Sequence, residues 1–494
     1  MNIRHSILAV LLCGAVTSSA QVGSEAALAR PLPDTAPAKR LKEVLEVINA
    51  GDRAALVEYA RTGFAPNMMK PDDSILDFLH GHYQLSGGYE VRRILQSMPH
   101  QITALVQGRR KTDSWLRYVV GTEETPPHRV SGIFTFGASA ALGEDAGGPV
   151  AEADLPARFT ALIDRIAGEG KFSGSVCLAR DGKILVSKAW GEADRKTHQK
   201  NTTATRFGIA SVGKLFTAVA IAKLVEAGKL AYDEPASKHI PGWLPPAGEM
   251  ITIDHLLTHR SGLGDYLQAV VDDHSGRTYD GLEDYRRFAV ESALLFEPGT
   301  SFRYSNVGYA LLGAIIEKVT GESWDAWVRR NVLAPAGITN TTPKRPTGRD
   351  PGIAVGYHTE PDGSLILTDT LQAGLGTPAG GGVSTAEDLA RFADAFAAGR
   401  LVSRAAVQAM TKSRTDFPGT GRFYGYGVTI AGTQTGRRVY GHEGGFPGIG
   451  ALVEVYEGSG YTLAVLSNTT GGAAPIGDAW RDVLGRVARA GATP

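Results

Sequence analysis

The chain is short of the residues that staple or metallate a fold. Of its 494 residues only Cys13 and Cys177 are cysteine, so once the leader is set aside no internal disulfide is available and stability must come from a buried core. Cys177 lies in the strand-like run GSVCLAR and reads as a small apolar side chain, with no histidine in sequence reach to make it a nucleophile. Metal motifs are missing as well: neither His-Glu-x-x-His nor Cys-x-x-Cys occurs. There is no Gly-x-x-x-x-Gly-Lys-Ser/Thr phosphate loop, and Gly374-x-Gly376-x-x-Ala379 lacks the strand-and-helix context of a dinucleotide fingerprint. Gly-x-Ser-x-Gly is also absent, which closes the nucleophile-elbow route. No cofactor is expected. Nor is there an excess of charge: Lys+Arg 51 balance Asp+Glu 51 without a basic stripe, which excludes nucleic acid and anionic membrane surfaces as partners.

Long apolar runs are equally scarce. The one over residues 7–16 follows Arg4 and precedes the small residues Ser18 and Ala20. That is the layout of a secretory signal over residues 1–20, and the run is too short to span a bilayer. Cys13 raises lipoprotein processing, but Leu12 is larger than the residue such processing needs before its cysteine. A secreted or periplasmic location with no stable membrane span is the expectation. Residues 21–37, rich in Ala and Pro, read as a flexible leader.

In residues 38–137, Leu41, Val44, Leu45 and Ile48 mark an amphipathic helix that stops at Gly51. Shorter helical pieces follow around residues 53–61 and 74–79. From Tyr89 the pattern changes to strand-like runs rich in β-branched and aromatic residues. Helices first and strands afterwards predict a small α+β domain, in an order that resembles the nuclear-transport-factor-like cone. Such a cone can hold a pocket, which would make His80 and His82 pocket residues; surface or structural histidines fit the same pattern. Residues 138–153, small, polar and glycine-bearing, read as a linker.

Residues 154–490 form the larger part. A helix is predicted over 155–167, a β-hairpin turning at Asp181-Gly182 follows, and the middle of the chain is mostly helical and loop-like. Strands return in FYGYGVTI, RRVYGHEGG and ALVEVYEGSGYTLAVLSN, before a terminal helix over 476–488. Strands at both ends predict an α/β (α+β) fold in which one antiparallel sheet is assembled from distant segments. An all-helical insert would pack on one side, with a ligand cleft where it meets the sheet.

Three groups of residues carry chemistry. In FGIASVGKLFTAVAIAKLVEAGKL, over residues 207–230, apolar residues recur at helical spacing and Gly228 marks the stop. Ser211 would open this helix, with Lys214 one turn further on the same face, so the amine can approach the hydroxyl. A serine hydroxyl needs a base to take its proton, and a lysine serves once desolvation lowers its pKa. An N-cap serine beside a surface lysine would show the same spacing, but this lysine interrupts an otherwise apolar helix. Tyr304 and Asn306 form the only Tyr-x-Asn in the chain. A tyrosine acts as a base when positive charge such as Lys214 draws its pKa down from about 10. The Asn306 amide would orient a substrate carbonyl or hold the lysine. The third group is His442-Glu443-Gly444-Gly445, where glycines let backbone approach a substrate and the Gly445 N–H can pair with that of Ser211 as an oxyanion hole.

In this order, and embedded in IASVGKLFTA, ITIDHLLTHRSGL, FRYSNVGYALLG, GGVSTAEDLARF and GHEGGFPG, the three groups resemble the serine β-lactamase-related family. Within it the likeness is to the class C β-lactamase, D-alanyl-D-alanine carboxypeptidase and esterase branch, over about residues 155–488. The resemblance implies a β-lactamase/transpeptidase-like fold and an acyl-enzyme on Ser211, with Lys214 and Tyr304 sharing the proton transfers. It places Asn306 and His442 on the substrate, makes the backbone N–H groups of Ser211 and Gly445 the oxyanion hole, and calls for no cofactor. One departure bears on substrate. Many β-lactamases and penicillin-binding enzymes carry Lys-Thr-Gly or Lys-Ser-Gly where this chain has His442, Glu443 and Gly444. A histidine is mostly neutral at pH 7, and strand alternation turns Glu443 away from the cleft. The expected partner is a small-molecule ester or amide, neutral or cationic. The alternatives are a β-lactamase or penicillin-binding carboxypeptidase, and a non-catalytic binding protein on the same scaffold. The sequence carries no signal for oligomeric state.

Overall fold

The apolar stripe Leu41, Val44, Leu45 and Ile48 is buried along helix α1 (Ala36–Ala50), which Gly51 ends in a left-handed conformation with φ 71°. The computed structural model describes residues 32–487 except 69–73, 145–148, 272, 274–278, 280, 345–349, 360–363, 369–375, 418–421 and 433–436. The expected signal and most of the leader lie outside the described residues. Helices α2 (Arg53–Gly63) and α3 (Ser74–Ser86) complete a helical layer. It covers a four-stranded antiparallel meander, β1 (Tyr89–Met98), β2 (Gln101–Gly108), β3 (Trp115–Thr122) and β4 (Val130–Gly137). Alternation decides what each face meets: Ile102, Ala104, Val106, Leu116 and Tyr118 turn to the helices, while Leu105 and Trp115 turn to the rest of the chain. His82 is buried against the Tyr118 hydroxyl, and burial lowers its pKa to about 4, so it is packed as a neutral structural residue.

The segment expected to be a linker is packed. It carries helix α4 (Ala140–Glu144) and buries Ala138, Ala141, Leu142 and Val150, and Glu169 accepts the Ala140 and Ala141 N–H groups. Its small residues fit against helix α5 (Leu155–Gly168). The first sheet is bound to the rest by charge as well. Arg117 on β3 pairs with Asp478 at 2.8 Å, both less than a tenth exposed, and Arg93 pairs with Asp482.

The main sheet begins with β5 (Gly174–Arg180) and β6 (Lys183–Trp190), joined at Asp181 and Gly182, whose φ values of 49° and 80° make the predicted tight turn. It is finished by β7 (Thr415–Phe417), β8 (Arg422–Tyr424), β9 (Thr429–Gly432), β10 (Arg438–Phe446), β11 (Ile449–Tyr456) and β12 (Tyr461–Ser467). The order is β7-β8-β9-β10-β11-β12-β5-β6, antiparallel throughout, so the late strand β12 pairs with the early β5. One face, with Val176, Leu178, Leu463 and Val465, packs on α5 and on helix α11 (Ala473–Gly485) around Trp480. The other, with Cys177, Ala464 and Leu466, meets α6 (Lys214–Glu226) and α10 (Ala386–Ala397). Burial pushes the Cys177 thiol up to about 12, which leaves it unreactive. Helices α7 (Ile253–Leu257), α8 (Glu283–Val290) and α9 (Asn306–Thr320) belong to the insert between β6 and β7. Among the described residues no helix is long and apolar enough to cross a membrane.

Candidate active site

Ser211 does not open the α-helix as its spacing predicts; it lies in a 3-10 turn, Ala210–Gly213, and Lys214 is the first residue of α6. Packing from two sides tightens this turn. A Cβ on Gly380 would stand 2.4 Å from the Ala210 carbonyl oxygen, and one on Gly444 would stand 2.2 Å from that of Ile209. Only glycine lets these neighbours close in, and Ala210 takes the uncommon φ of 42° between them. Ser211 and Lys214 remain side by side.

Lys214 is fully buried, and its Nζ lies 2.6 Å from Asn306 Oδ1, 2.6 Å from the Ala379 carbonyl and 3.2 Å from Ser211 Oγ. Burial lowers its pKa to about 7, against the opposing charge of Asp265. A neutral amine has two N–H groups and one lone pair. The two carbonyl oxygens can only accept and so take both N–H groups, which leaves the lone pair facing the Ser211 hydroxyl. This is the geometry of a general base on a nucleophile.

Tyr304 stands beside Ser211, and its ring centroid lies 4.7 Å from Lys214 Nζ. The sequence led us to expect its pKa to fall; the structure reverses this. Burial pushes the phenol well above its ordinary value, the nearby Ser211 hydroxyl offsets only part of the rise, and Asp265 adds to it. Lys214, itself poised near neutrality, supplies no compensating charge. Tyr304 is accordingly a proton donor and relay. Its ring stacks on His259 at 4.1 Å, and His259 is buried, kept neutral, and accepts the Ser305 N–H at 3.1 Å. Ser305 caps α9 by accepting the Gly308 N–H at 3.2 Å, which sets Asn306 at the helix start with its Oδ1 on the lysine.

The third group divides. His442 is 4% exposed, its Nε2 accepts from the Tyr424 hydroxyl at 2.9 Å, and its Nδ1 donates to the Glu443 carbonyl at 2.5 Å. Burial lowers its pKa to about 4, and the charge of Lys214 adds to the shift. With both nitrogens engaged it stands behind Tyr304, ring centroids 6.5 Å apart, and not on the cavity wall where a substrate contact was expected. Gly444 serves the close approach to the Ser211 turn. Gly445 does line the cavity. Glu443 turns to the opposite face, as alternation predicts, and pairs with Arg422 at 2.7 Å.

A cavity in front of Ser211 opens to solvent. Tyr266, Leu267, Phe446 and Ile449 form its apolar walls, and among the described residues none that lines it is charged. Sequence reasoning missed several supports. The Tyr266 hydroxyl meets Thr377 Oγ1 at 2.9 Å, bracing the turn whose Ala379 carbonyl holds Lys214. Asp265 accepts from Asn306. The glycine-rich run after Thr377 was the one available signal for the first; nothing local marks the second.

A serine hydroxyl set between a buried lysine and a phenol, at the junction of an antiparallel sheet and a helical insert, defines a serine hydrolase. The Beta-lactamase family model matches residues 159–486, and the chain belongs to that family. Penicillin-binding protein 4* of Bacillus subtilis is 30% identical over 323 residues, covering 62% of this chain and 70% of the relative. Esterase EstB of Burkholderia gladioli is 34% identical over 243 residues, 45% of this chain and 60% of the relative. Among solved structures, a penicillin binding protein from Bacillus halodurans matches with TM-score 0.60 at 30% identity, covering 65% of this chain and 98% of that one. The D-amino acid amidase from Ochrobactrum anthropi SV3 matches with TM-score 0.59 at 25% identity, over 67% and 99%. The fold of the larger part is thus β-lactamase/transpeptidase-like.

Proposed function

We propose that the protein is an exported hydrolase that cleaves neutral or cationic small-molecule esters or amides through an acyl-enzyme on Ser211. Lys214 takes the hydroxyl proton as Ser211 attacks the substrate carbonyl, and the backbone N–H groups of Ser211 and Gly445 hold the oxyanion. The bond to the leaving group then breaks. Tyr304 gives that group its proton and recovers one from Lys214, and water releases the acid by the same route. The observation that carries the substrate class is the cavity lining: among the described residues it holds no cation to bind a carboxylate, and His442, where many antibiotic-binding relatives have lysine, is neutral with both nitrogens engaged. The signal-like residues 1–20 support export.

A second reading, a D-alanyl carboxypeptidase or β-lactamase, is favoured by the penicillin-binding relatives at 30% identity. One panel separates the two. The purified protein is assayed with short-chain p-nitrophenyl esters, D-alanyl amides and nitrocefin, beside Ser211→Ala. Ester or amide turnover is expected to fall by about 10³-fold or more in the variant. Nitrocefin turned over faster than any ester or amide would replace this proposal with the second reading, and equal labelling of wild type and variant by a fluorophosphonate would leave a binding protein.

A further inference from the structure

We propose that Asp265 is a positioning residue of the proton-transfer centre: its carboxylate holds the Asn306 amide in the one orientation that gives Lys214 an acceptor, and so aims the lysine lone pair at Ser211. The inference rests on the roles given above to Ser211 and Lys214.

An asparagine amide is nearly symmetrical in shape and opposite in function at its two ends. Flipped, Asn306 would face the Lys214 amine donor to donor, and one lysine N–H would have no partner. A carboxylate only accepts, so Asp265 selects the nitrogen end. Its Oδ2 accepts from Asn306 Nδ2 at 2.9 Å and from the Asn306 backbone N–H at 2.9 Å, and its Oδ1 accepts from Nδ2 at 3.2 Å. The backbone contact fixes the carboxylate to the start of α9, and the side-chain contacts fix the amide to the carboxylate. Oδ1 of Asn306 is then left for the lysine at 2.6 Å. With Ala379 taking the other N–H at 2.6 Å, the lone pair has one direction left.

The same carboxylate also acts through its charge. Around the amine stand Ser211, Asn306, the Ala379 carbonyl and the rings of Tyr304 and Tyr309, with the burial-neutralised His259 and His442 beyond. Asp265 is the charge that holds Lys214 up against the effect of burial. Without it the lysine loses its proton at lower pH, while its aim is lost. The acidic limb of the rate profile therefore moves down in pH as the plateau rate falls, a combination that simple loosening of the fold does not produce.

The test is a pH profile of kcat and KM on a p-nitrophenyl ester for wild type, Asp265→Asn and Asp265→Glu, with the 13Cε titration of Lys214 followed by NMR in each. Asp265→Asn is expected to lose about tenfold or more in plateau kcat with KM within about threefold, and to shift both the limb and the lysine titration down by about half a pH unit or more. Asp265→Glu keeps the charge but misplaces it, so kcat falls while the limb stays within about 0.3 unit. A folded Asp265→Asn with wild-type kcat overturns the proposal. So does a loss of kcat with limb and titration unmoved, or, if the asparagine variant does not fold, full kcat in Asp265→Glu. Absence of hydrolysis by wild type would refute the reading of the site, and the NMR titrations would still decide the role of Asp265.

Discussion

Because burial brings Lys214 to about 7 from an ordinary 10.5, the unfolded chain carries a proton there that the folded one sheds above neutrality. Stability supplied by this group rises with pH between those two values, at up to about 1.4 kcal/mol per unit, and is absent below the lower one. Calorimetry from pH 7 to 9 should show the wild type gaining on Lys214→Met, which has no proton to lose. Activity should climb through the same region and then level, because only the neutral amine accepts the serine proton. Lys214→Arg stays charged at every working pH, and its kcat should be about 10³-fold below wild type in steady-state assays. Tyr304→Phe keeps the ring on His259 but has no proton to give. It should cost about 10²-fold or more, with the larger loss for amides, whose leaving group needs that proton most.

At the scale of elements, β10 must come against the Ser211 turn without a side chain between them. Gly444→Ala puts a methyl into the Ile209 carbonyl, and should cost about 1–3 kcal/mol in thermal unfolding together with a slower reaction of Ser211 with a fluorophosphonate. Gly445→Ala meets nothing within 4 Å, and its unfolding midpoint should match wild type. This contact also separates what sequence reveals from what it hides. Ser211 with Lys214, Tyr304 with Asn306 and the stripe on α1 are legible because their geometry is set within a few residues of chain or along one helix. His442 was placed on the substrate because nothing in its own strand says that Tyr424, from β8, claims its outer nitrogen. Tyr304 was expected to ionise because depth of burial is a property of the assembled core. Ala379 acts through a backbone carbonyl and has no side-chain signature, and Asp265 reaches Asn306 across 41 positions of chain. Residues 138–153 have the composition of a solvated tether, but small side chains also suit a tight seam, and their partners come from α5.

At the scale of the molecule, the first sheet is joined to the second by a shared apolar cluster, in which Leu105 and Trp115 pack with Phe159 and Trp480, and by the buried pair of Arg117 and Asp478. Asp478 is also held by Arg481 at 2.7 Å, so losing Arg117 takes away one of its two cations and leaves the other. Arg117→Met should lower stability by about 1–3 kcal/mol, read by urea unfolding, and the wild type should unfold in a single calorimetric transition. Two separated transitions in the wild type would mean that the parts are merely tied together. The order of strands has a consequence of another kind. β5 has β6 beside it from the start but finds its second neighbour only in β12, and the Ser467 hydroxyl donates to the Ser173 carbonyl across 294 positions. Without β12, α6 has no finished floor to rest on, and water would keep its lysine protonated. A chain cut before β12 is therefore expected to carry the serine without the buried amine that activates it, and to leave a fluorophosphonate unreacted.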